Sequence, residues 1–192
     1  MKRAFDIAAS ALALITLAPL LIALALIVKS TSSGPVLFRH ERIGRSYVPF
    51  DVLKFRTMRS GNAGAQITTA DDTRITPVGK ILRRYKLDEL PQLVNVLRGE
   101  MSIVGPRPEV SKYVEMDERY AKVLQVRPGL TDPASLKFRH EQELLAAQPD
   151  PEPFYVEELL PEKVRLSVDY VENQSMSTDL RLIGETLRAL LK

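Results

Sequence analysis

The chain has no cysteine, no tryptophan and two histidines in 192 residues. Without cysteine, neither a disulfide framework nor a thiolate metal site can form, which fits a reducing compartment. His40 and His140 lack the spacing of metal ligands and read as incidental. Aromatic residues make up 6% of the sequence and no nucleic-acid-binding motif is visible, so nucleic acid is not an expected partner. No Ser/His/Asp set, phosphate-cradling glycine loop, internal repeat or low-complexity tract is evident.

Charge is missing from one long stretch. Ile7 to Val28 are 22 residues with no ionisable side chain. As a straight helix they would reach about 33 Å, close to the roughly 30 Å of bilayer hydrocarbon. A spanning helix is the default reading. A cleaved signal peptide fits the positive start, but no clear small-residue cleavage site follows the apolar run. Pro19 supports a third geometry, because it removes an intrahelical hydrogen bond and kinks the helix. The break predicts two arms, Ile7–Ala18 and Pro19–Val28, of about 18 and 15 Å, each near half a bilayer. Lys2 and Arg3 precede the run, and Lys29 and the 39–45 cluster follow it. Positive flanks at both ends suit a re-entrant hairpin that enters and leaves by the cytoplasmic face. Proline also occurs in spanning helices, so spanning and re-entrant forms both stay open.

Of the net charge of +3, residues 1–28 contribute +1 and residues 29–59 contribute +5, from seven bases against Glu41 and Asp51. The remainder carries −3. The basic stretch adjoins the apolar segment, where anionic membrane lipid would attract it. A solvated basic face would account for the same charges. The length fits one domain plus an appendage, and the 164 residues after Val28 are enough for a core. The division expected is an anchor at 1–30 and a cytoplasmic domain at 31–192.

The soluble part predicts an α+β fold, mostly helical with a small β-hairpin. Val36–Arg39 and Pro49–Met58 read as its strands around a turn at Gly44–Ser46, with Phe50, Val52, Lys54 and Arg56 on one face. Residues 60–64, Ser-Gly-Asn-Ala-Gly, predict a mobile loop running through Asp71 and Asp72. Thr76 and Pro77 start a helix to Arg84. A second helix is expected from Asp88 to just before Gly99, burying Leu90, Leu93, Val94 and Leu97. Met101–Val104 is a short apolar segment. Further helices are predicted over Glu109–Val126, Glu141–Ala147, Glu162–Val171 and Thr178–Leu191. Arg127–Pro133 reads as a structured loop and Pro149–Pro153 as a stiff extended stretch. In the last helix Leu180, Ile183, Leu187 and Leu190 or Leu191 recur at helical spacing, with Ser177 as a cap.

Two adjacent carboxylates, Asp88 and Glu89, sit at a helix start. Acidic residues are common there because they cap N–H groups and oppose the macrodipole. The same physics keeps a carboxylate ionised and offers N–H groups to a phosphate. Two carboxylates at one site repel, and Mg²⁺ would relieve that while bridging phosphate oxygens. An ionised Asp can attack phosphorus to give an acyl phosphate. Arg107 lies between Pro106 and Pro108, which fix its backbone for a bidentate grip on phosphate; a plain surface turn is the other reading. Lys54, Arg83 and Arg127 are further candidate phosphate contacts, each also readable as a surface base, and Lys54 could instead pair with a catalytic carboxylate.

Taken in order, Pro19, Lys54-Phe-Arg56-Thr-Met58, Leu87-Asp-Glu-Leu-Pro-Gln92, Gly105-Pro-Arg-Pro108 and Arg127-Pro-Gly-Leu-Thr131 resemble the bacterial sugar transferases known as small monotopic phosphoglycosyl transferases. The resemblance covers nearly the whole chain. It implies a monotopic, re-entrant anchor on the cytoplasmic face of the bacterial inner membrane. It implies transfer of a phospho-sugar from a UDP-sugar to undecaprenyl phosphate, releasing UMP, with Mg²⁺. Asp88 would attack the β-phosphate and carry the phospho-sugar, and Glu89 would hold the metal or deprotonate the acceptor. Lys54, Arg83 and Arg107 would bind phosphates. Ala18 stands where a serine is common in the family, and Thr131-Asp-Pro-Ala-Ser135 replaces the more familiar Gly-aromatic loop, leaving the sugar undecided. A small anchored domain accommodates a homodimer, although nothing in the sequence demands one. A metal-dependent phosphodiesterase using water, or a non-catalytic module binding lipid phosphate, are the competing classes.

Overall fold

The computed structural model describes residues 1–59, 68–69 and 71–190. The loop expected at 60–64 and the terminal Leu191 lie outside the described residues.

The apolar segment forms two helices, α1 (Lys2–Thr16) and α2 (Ala18–Thr31), bent by 64° at Leu17. Among the described residues, no single helix is long and apolar enough to cross a membrane. The break falls two residues before Pro19, which sits in the first turn of α2. There its missing N–H costs nothing. Thr16 Oγ1 donates back to Leu12 O at 2.9 Å in the last turn of α1, so the break has a hydroxyl bond although position 18 is alanine.

Both ends of this pair are fastened to the rest of the chain. Lys2 pairs with the buried Asp179, and Arg3 donates to Val96 O and Leu97 O at 2.5 and 2.8 Å. Asp6, fully buried, accepts from Ser102 Oγ at 2.9 Å and from the Ile103 amide at 3.1 Å. At the other end Leu24 and Val28 pack with Phe55 and Leu82. The Arg56 guanidinium grips Pro35 O, and Ser32 O at 2.7 Å. Sequence reasoning put Arg56 on the strand face with Lys54. The strand ends at Phe55, and Arg56 instead holds the segment that follows α2.

The hairpin is present: β1 (Leu37–Ile43) pairs antiparallel with β2 (Pro49–Phe55), with Phe38 opposite Lys54. Helix α3 (Pro77–Arg84) is capped as expected, Thr76 Oγ1 accepting from the Gly79 amide at 2.9 Å. Helix α4 (Gln92–Arg98) begins later than Asp88. Lys86 adopts φ 54°, Leu87–Glu89 form one 3₁₀ turn, and Pro91 precedes the helix. Pro91 is the N-cap of α4, and the turn before it is closed by i+3 bonds, Glu89 N to Lys86 O at 3.2 Å and Leu90 N to Leu87 O at 3.4 Å. The buried side of α4 is Gln92, Leu93, Asn95 and Val96; Leu90, Val94 and Leu97 are half-buried.

A parallel pair that the sequence did not reveal follows. β3 (Ser102–Val104) lies beside β4 (Gly129–Thr131), Ser102 opposite Gly129 and Val104 opposite Thr131. Just past β3 the backbones touch: a Cβ on Gly129 would lie 2.1 Å from Gly105 N. The Pro-Arg-Pro strap is thereby held against the Arg127-Pro128-Gly129 loop.

The expected helix over 109–126 is two short turns, α5 (Ser111–Val114) and α6 (Tyr120–Val123). Asp117 Oδ1 accepts from the Arg119 amide at 2.9 Å, a local turn that competes with the helical ladder. The bend lets Tyr113, Val114, Tyr120 and Val123 enter one core with Leu145, Tyr155, Leu160 and Val164. After α7 (Pro133–Lys137) and α8 (Glu141–Ala146), residues 151–154 are helical rather than extended: α9 (Pro151–Phe154) has its prolines in a first turn, where no N–H is required. A π-helical turn, Tyr155–Leu159, leads into α10 (Leu160–Glu172), and α11 (Met176–Leu190) closes the chain. Ser175, not Ser177, caps α11, accepting from the Thr178 amide at 3.1 Å. Its buried residues are Asp179 and Leu182, so the expected stripe is mostly outside: Leu180, Leu187 and Leu190 are exposed and Ile183 half-buried. Asp179, buried and paired with Lys2, lies on the inward side.

Candidate active site

The acidic turn Leu87–Glu89 lies against β2 and α3, and α4 continues from it. The left-handed Lys86 reverses the chain after α3 and brings Asp88 and Glu89 beneath the hairpin. From β2, Lys54 Nζ donates to Glu89 Oε1 at 2.8 Å. From the strap, Arg107 pairs with the same oxygen and reaches Oε2 at 3.4 Å. Arg107 is held by its two prolines and by its amide, 3.4 Å from Asp132 Oδ2. Asp132 is fully buried and also caps α7 through the Ser135 amide at 2.8 Å.

Asp88 differs from its neighbour. Only 6% of it is exposed, and Oδ1 has no hydrogen-bond partner among the described residues. Burial and then the adjacent Glu89 push its carboxyl above the usual range, against the pull of Lys54, Arg83 and Lys86. Burial would raise Glu89 too, but Arg107 and Lys54 outweigh it and hold Glu89 well below the carboxylate range. Glu89 raises Arg107 in turn. Burial pulls the Lys54 ammonium down; Glu89 opposes this and Arg107 adds to it. The pair thus divides into a doubly compensated carboxylate and a desolvated one with an oxygen to spare.

Arg83 faces Asp88 electrostatically and is steered by Thr57, whose Oγ1 accepts from Nε at 2.8 Å. Arg127 is placed elsewhere. Its Nε donates to Gly99 O at 2.7 Å, so with Arg3 it satisfies carbonyls at the C-terminal end of α4. Gln92, one helical turn beyond Asp88, is also buried with Nε2 unpartnered among the described residues. Unsatisfied buried polar groups on successive turns mark a place where a ligand is expected. A separate groove of about 410 Å³, bounded by Tyr47, Val114 and Glu118, holds none of these groups.

Among the described residues, no group of three His, Asp or Glu side chains is placed to hold a metal. Mg²⁺ commonly takes one or two carboxylates plus substrate phosphates. The Asp88 carboxylate fits one such place; the oxygens of Glu89 already face two cations. Sequence reasoning brought Lys54, Arg83, Asp88, Glu89 and Arg107 to this site. It missed Thr57, Asp132 and Arg3, which act through backbone and side-chain contacts with no local pattern to announce them.

The whole chain, residues 1–192, matches the profile of the bacterial sugar transferase family. It is 40% identical over 197 residues to the UDP-glucose:undecaprenyl-phosphate glucose-1-phosphate transferase of Caulobacter vibrioides, covering 99% of this chain and 69% of that protein. It is 35% identical over 197 residues to the UDP-N-acetylgalactosamine-undecaprenyl-phosphate N-acetylgalactosaminephosphotransferase of Aeromonas hydrophila, covering 100% of this chain and 44% of that one. With the exopolysaccharide production protein ExoY of Sinorhizobium fredii it shares 36% identity over 207 residues, covering 98% and 84%. The chain thus spans less than half of the Aeromonas relative and most of the other two.

The raised Asp88 has a consequence for stability. A carboxyl whose folded pKa lies above its unfolded value of about 3.9 stabilises the fold below that value and loses the contribution as pH rises through its folded pKa. Asparagine lacks that dependence. Asp88→Asn should therefore melt higher than wild type at neutral pH, and the gain should shrink toward zero in acid. Thermal unfolding in detergent from pH 4 to 8 measures it. A variant that melts lower at pH 7 would mean that the Asp88 charge is compensated.

Proposed function

The chain belongs to the bacterial sugar transferase family, and from that membership we propose that it moves a phospho-sugar from a UDP-sugar to undecaprenyl phosphate, releasing UMP. The reaction would be the first membrane step in assembling a glycoconjugate such as an exopolysaccharide or lipopolysaccharide. The observation that carries this reading is the division of the acidic pair: Glu89 compensated by Lys54 and Arg107, Asp88 buried with an unpartnered oxygen.

In this mechanism an Asp88 oxygen attacks the β-phosphorus of the donor. The bond from that phosphorus to the bridging oxygen breaks, and UMP leaves with the electron pair. The product is an aspartyl phospho-sugar. A phosphate oxygen of undecaprenyl phosphate then attacks the same phosphorus and displaces the Asp88 carboxylate, giving undecaprenyl-diphosphate-sugar. Lys54, Arg83 and Arg107 bind the phosphates. Arg107 has five N–H donors and Lys54 three, so each can hold Glu89 and still contact an anion. Glu89 is a positioning residue, since a carboxylate held so low is a poor base. Arg127 serves through the end of α4. Mg²⁺, held by Asp88 and substrate phosphate oxygens, would neutralise phosphate charge there.

The anchor at 1–30 is re-entrant in this reading, with 31–192 as catalytic domain on the cytoplasmic face of the inner membrane. The contacts at both ends of α1 and α2 support it. A helix whose first residues are bound to Asp179, Val96 and Ser102 starts on the same side as the domain that holds them. The exposed side chains Leu12, Ile15, Ile22 and Leu26 lie on either side of the bend and would face lipid.

Two measurements test these statements. UMP release from a panel of UDP-sugars should require undecaprenyl phosphate for multiple turnovers and vanish in Asp88→Asn. Sustained release without acceptor would favour the phosphodiesterase, and none from any donor the non-catalytic module. For topology, the absence of native cysteine allows a single cysteine inserted after Met1 to report alone. It should resist a membrane-impermeant maleimide in right-side-out vesicles until they are permeabilised; external labelling would contradict the re-entrant anchor.

A further inference from the structure

The hairpin face that bears Lys54 continues beyond it. Phe38 is opposite Lys54, His40 opposite Val52 and Arg42 opposite Phe50. Alternate residues of a strand share a face, so Phe38, His40 and Arg42 form a row alongside Lys54. Diagonal neighbours in such a pair lie about 7–8 Å apart, so His40 is one side-chain length from the phosphate-binding ammonium.

Each member of the row is set up in a particular way. Phe38 is 49% exposed, and its ring centre lies 5.7 Å from the imidazole at a 54° tilt. Arg42 Nη2 is 3.3 Å from His40 Nδ1. A guanidinium can only donate, so Nδ1 accepts and the ring proton resides on Nε2. Burial, then Arg42 and Lys54, lower the imidazole to about 4, so at neutral pH it is uncharged with one N–H to give. Arg42 is itself fixed, donating to Glu109 Oε1 at 2.6 Å, while Glu109 Oε2 takes the Tyr155 hydroxyl at 2.8 Å. Arg107 and Glu109, two residues apart on the strap, face the row opposite Lys54 and Arg42 respectively. A neutral, tautomer-fixed donor beside an uncovered aromatic ring is more than a strand needs for its own stability.

We propose that this row is the nucleobase subsite of the donor, with Phe38 stacking on a pyrimidine and His40 Nε2–H donating to its carbonyl oxygen. It rests on the phosphoglycosyl transfer reading, which puts the diphosphate at Lys54 and Arg107 and leaves the base to lie along the hairpin. A donor at this point selects uracil, whose O4 accepts, over cytosine, whose exocyclic amine donates. A site built to give a hydrogen bond discriminates against a partner that cannot take it, because its own group is left unpaired.

The test uses the full chain in nanodiscs with UDP and CDP as probes, measured by equilibrium binding on the same sample. The ratio of the two affinities does not depend on how much protein is folded. Wild type should prefer UDP by about tenfold, the value of one hydrogen bond. His40→Leu should lose that preference by weakening UDP and, with no donor left unpaired, should bind CDP as well as wild type or better. His40→Gln, whose amide N–H can stand in for Nε2–H, should keep most of it. Phe38→Leu, which stays apolar but cannot stack, should weaken both nucleotides together. An unchanged preference in His40→Leu, or equal UDP and CDP binding in wild type, would overturn the subsite. Loss of the transfer reading would look different: UDP preference intact and dependent on His40, but no turnover of any UDP-sugar.

Discussion

Glu89 is the point at which three distant parts of the chain meet. Its carboxylate takes the Lys54 ammonium from the hairpin and the Arg107 guanidinium from the Pro-Arg-Pro strap, while its own turn ends α3 and leads into α4. The shared carboxylate thus ties hairpin, turn and strap together at one side chain. Its chemical effect falls on the neighbouring residue. With Lys54 and Arg107 held by Glu89, Asp88 is desolvated, raised in pKa against the pull of Lys54, Arg83 and Lys86, and has an oxygen without a hydrogen-bond partner among the described residues. In the proposed mechanism one carboxylate holds the site and the other reacts.

The anchor belongs to the same framework. α1 packs along α4 and α2 packs against α3, the two helices that flank the acidic turn. Arg3 and Arg127 satisfy carbonyls at the far end of α4, and Asp6 reaches the β3 backbone. The apolar segment is thus fastened at both ends to the elements around the acidic turn rather than tethered by a linker. In the proposed reading this sets the depth of Asp88 relative to the bilayer, where a lipid-borne acceptor must present its phosphate.

Much of this was legible in the residues, and what was not has physical reasons. Thr76-Pro77 and Gly99 are punctuation whose meaning is local, so α3's start and α4's end were readable. Pro19 announced a bend, but its ring is tolerated in a first turn, which moved the break to Leu17. Pro91 was read as an ordinary member of a helix, whereas it stands before α4 and Asp88 lies in a 3₁₀ turn. The β3–β4 pairing and the Gly105–Gly129 contact join segments with no shared local pattern. The stripe of α11 was read with the wrong side inward: Asp179, buried and paired with Lys2, lies inside, and leucines that periodicity alone would bury lie outside. At the site, five charged residues could be picked out by type and a Lys54–carboxylate pair foreseen, but not that Glu89 is shared with Arg107. His40 was dismissed for lacking metal spacing; only the hairpin register shows it next to Lys54.

The central claim is that the unpartnered Asp88 oxygen is the group that takes the phospho-sugar. The most direct measurement is a single turnover with a donor labelled in the sugar, without acceptor, followed by proteolysis and mass spectrometry. About one UMP per protein should form, with an acid-stable, hydroxylamine-labile phospho-sugar on the peptide that contains Asp88, discharged by undecaprenyl phosphate. UMP formed only when acceptor is present, with no mass on that peptide, would contradict it.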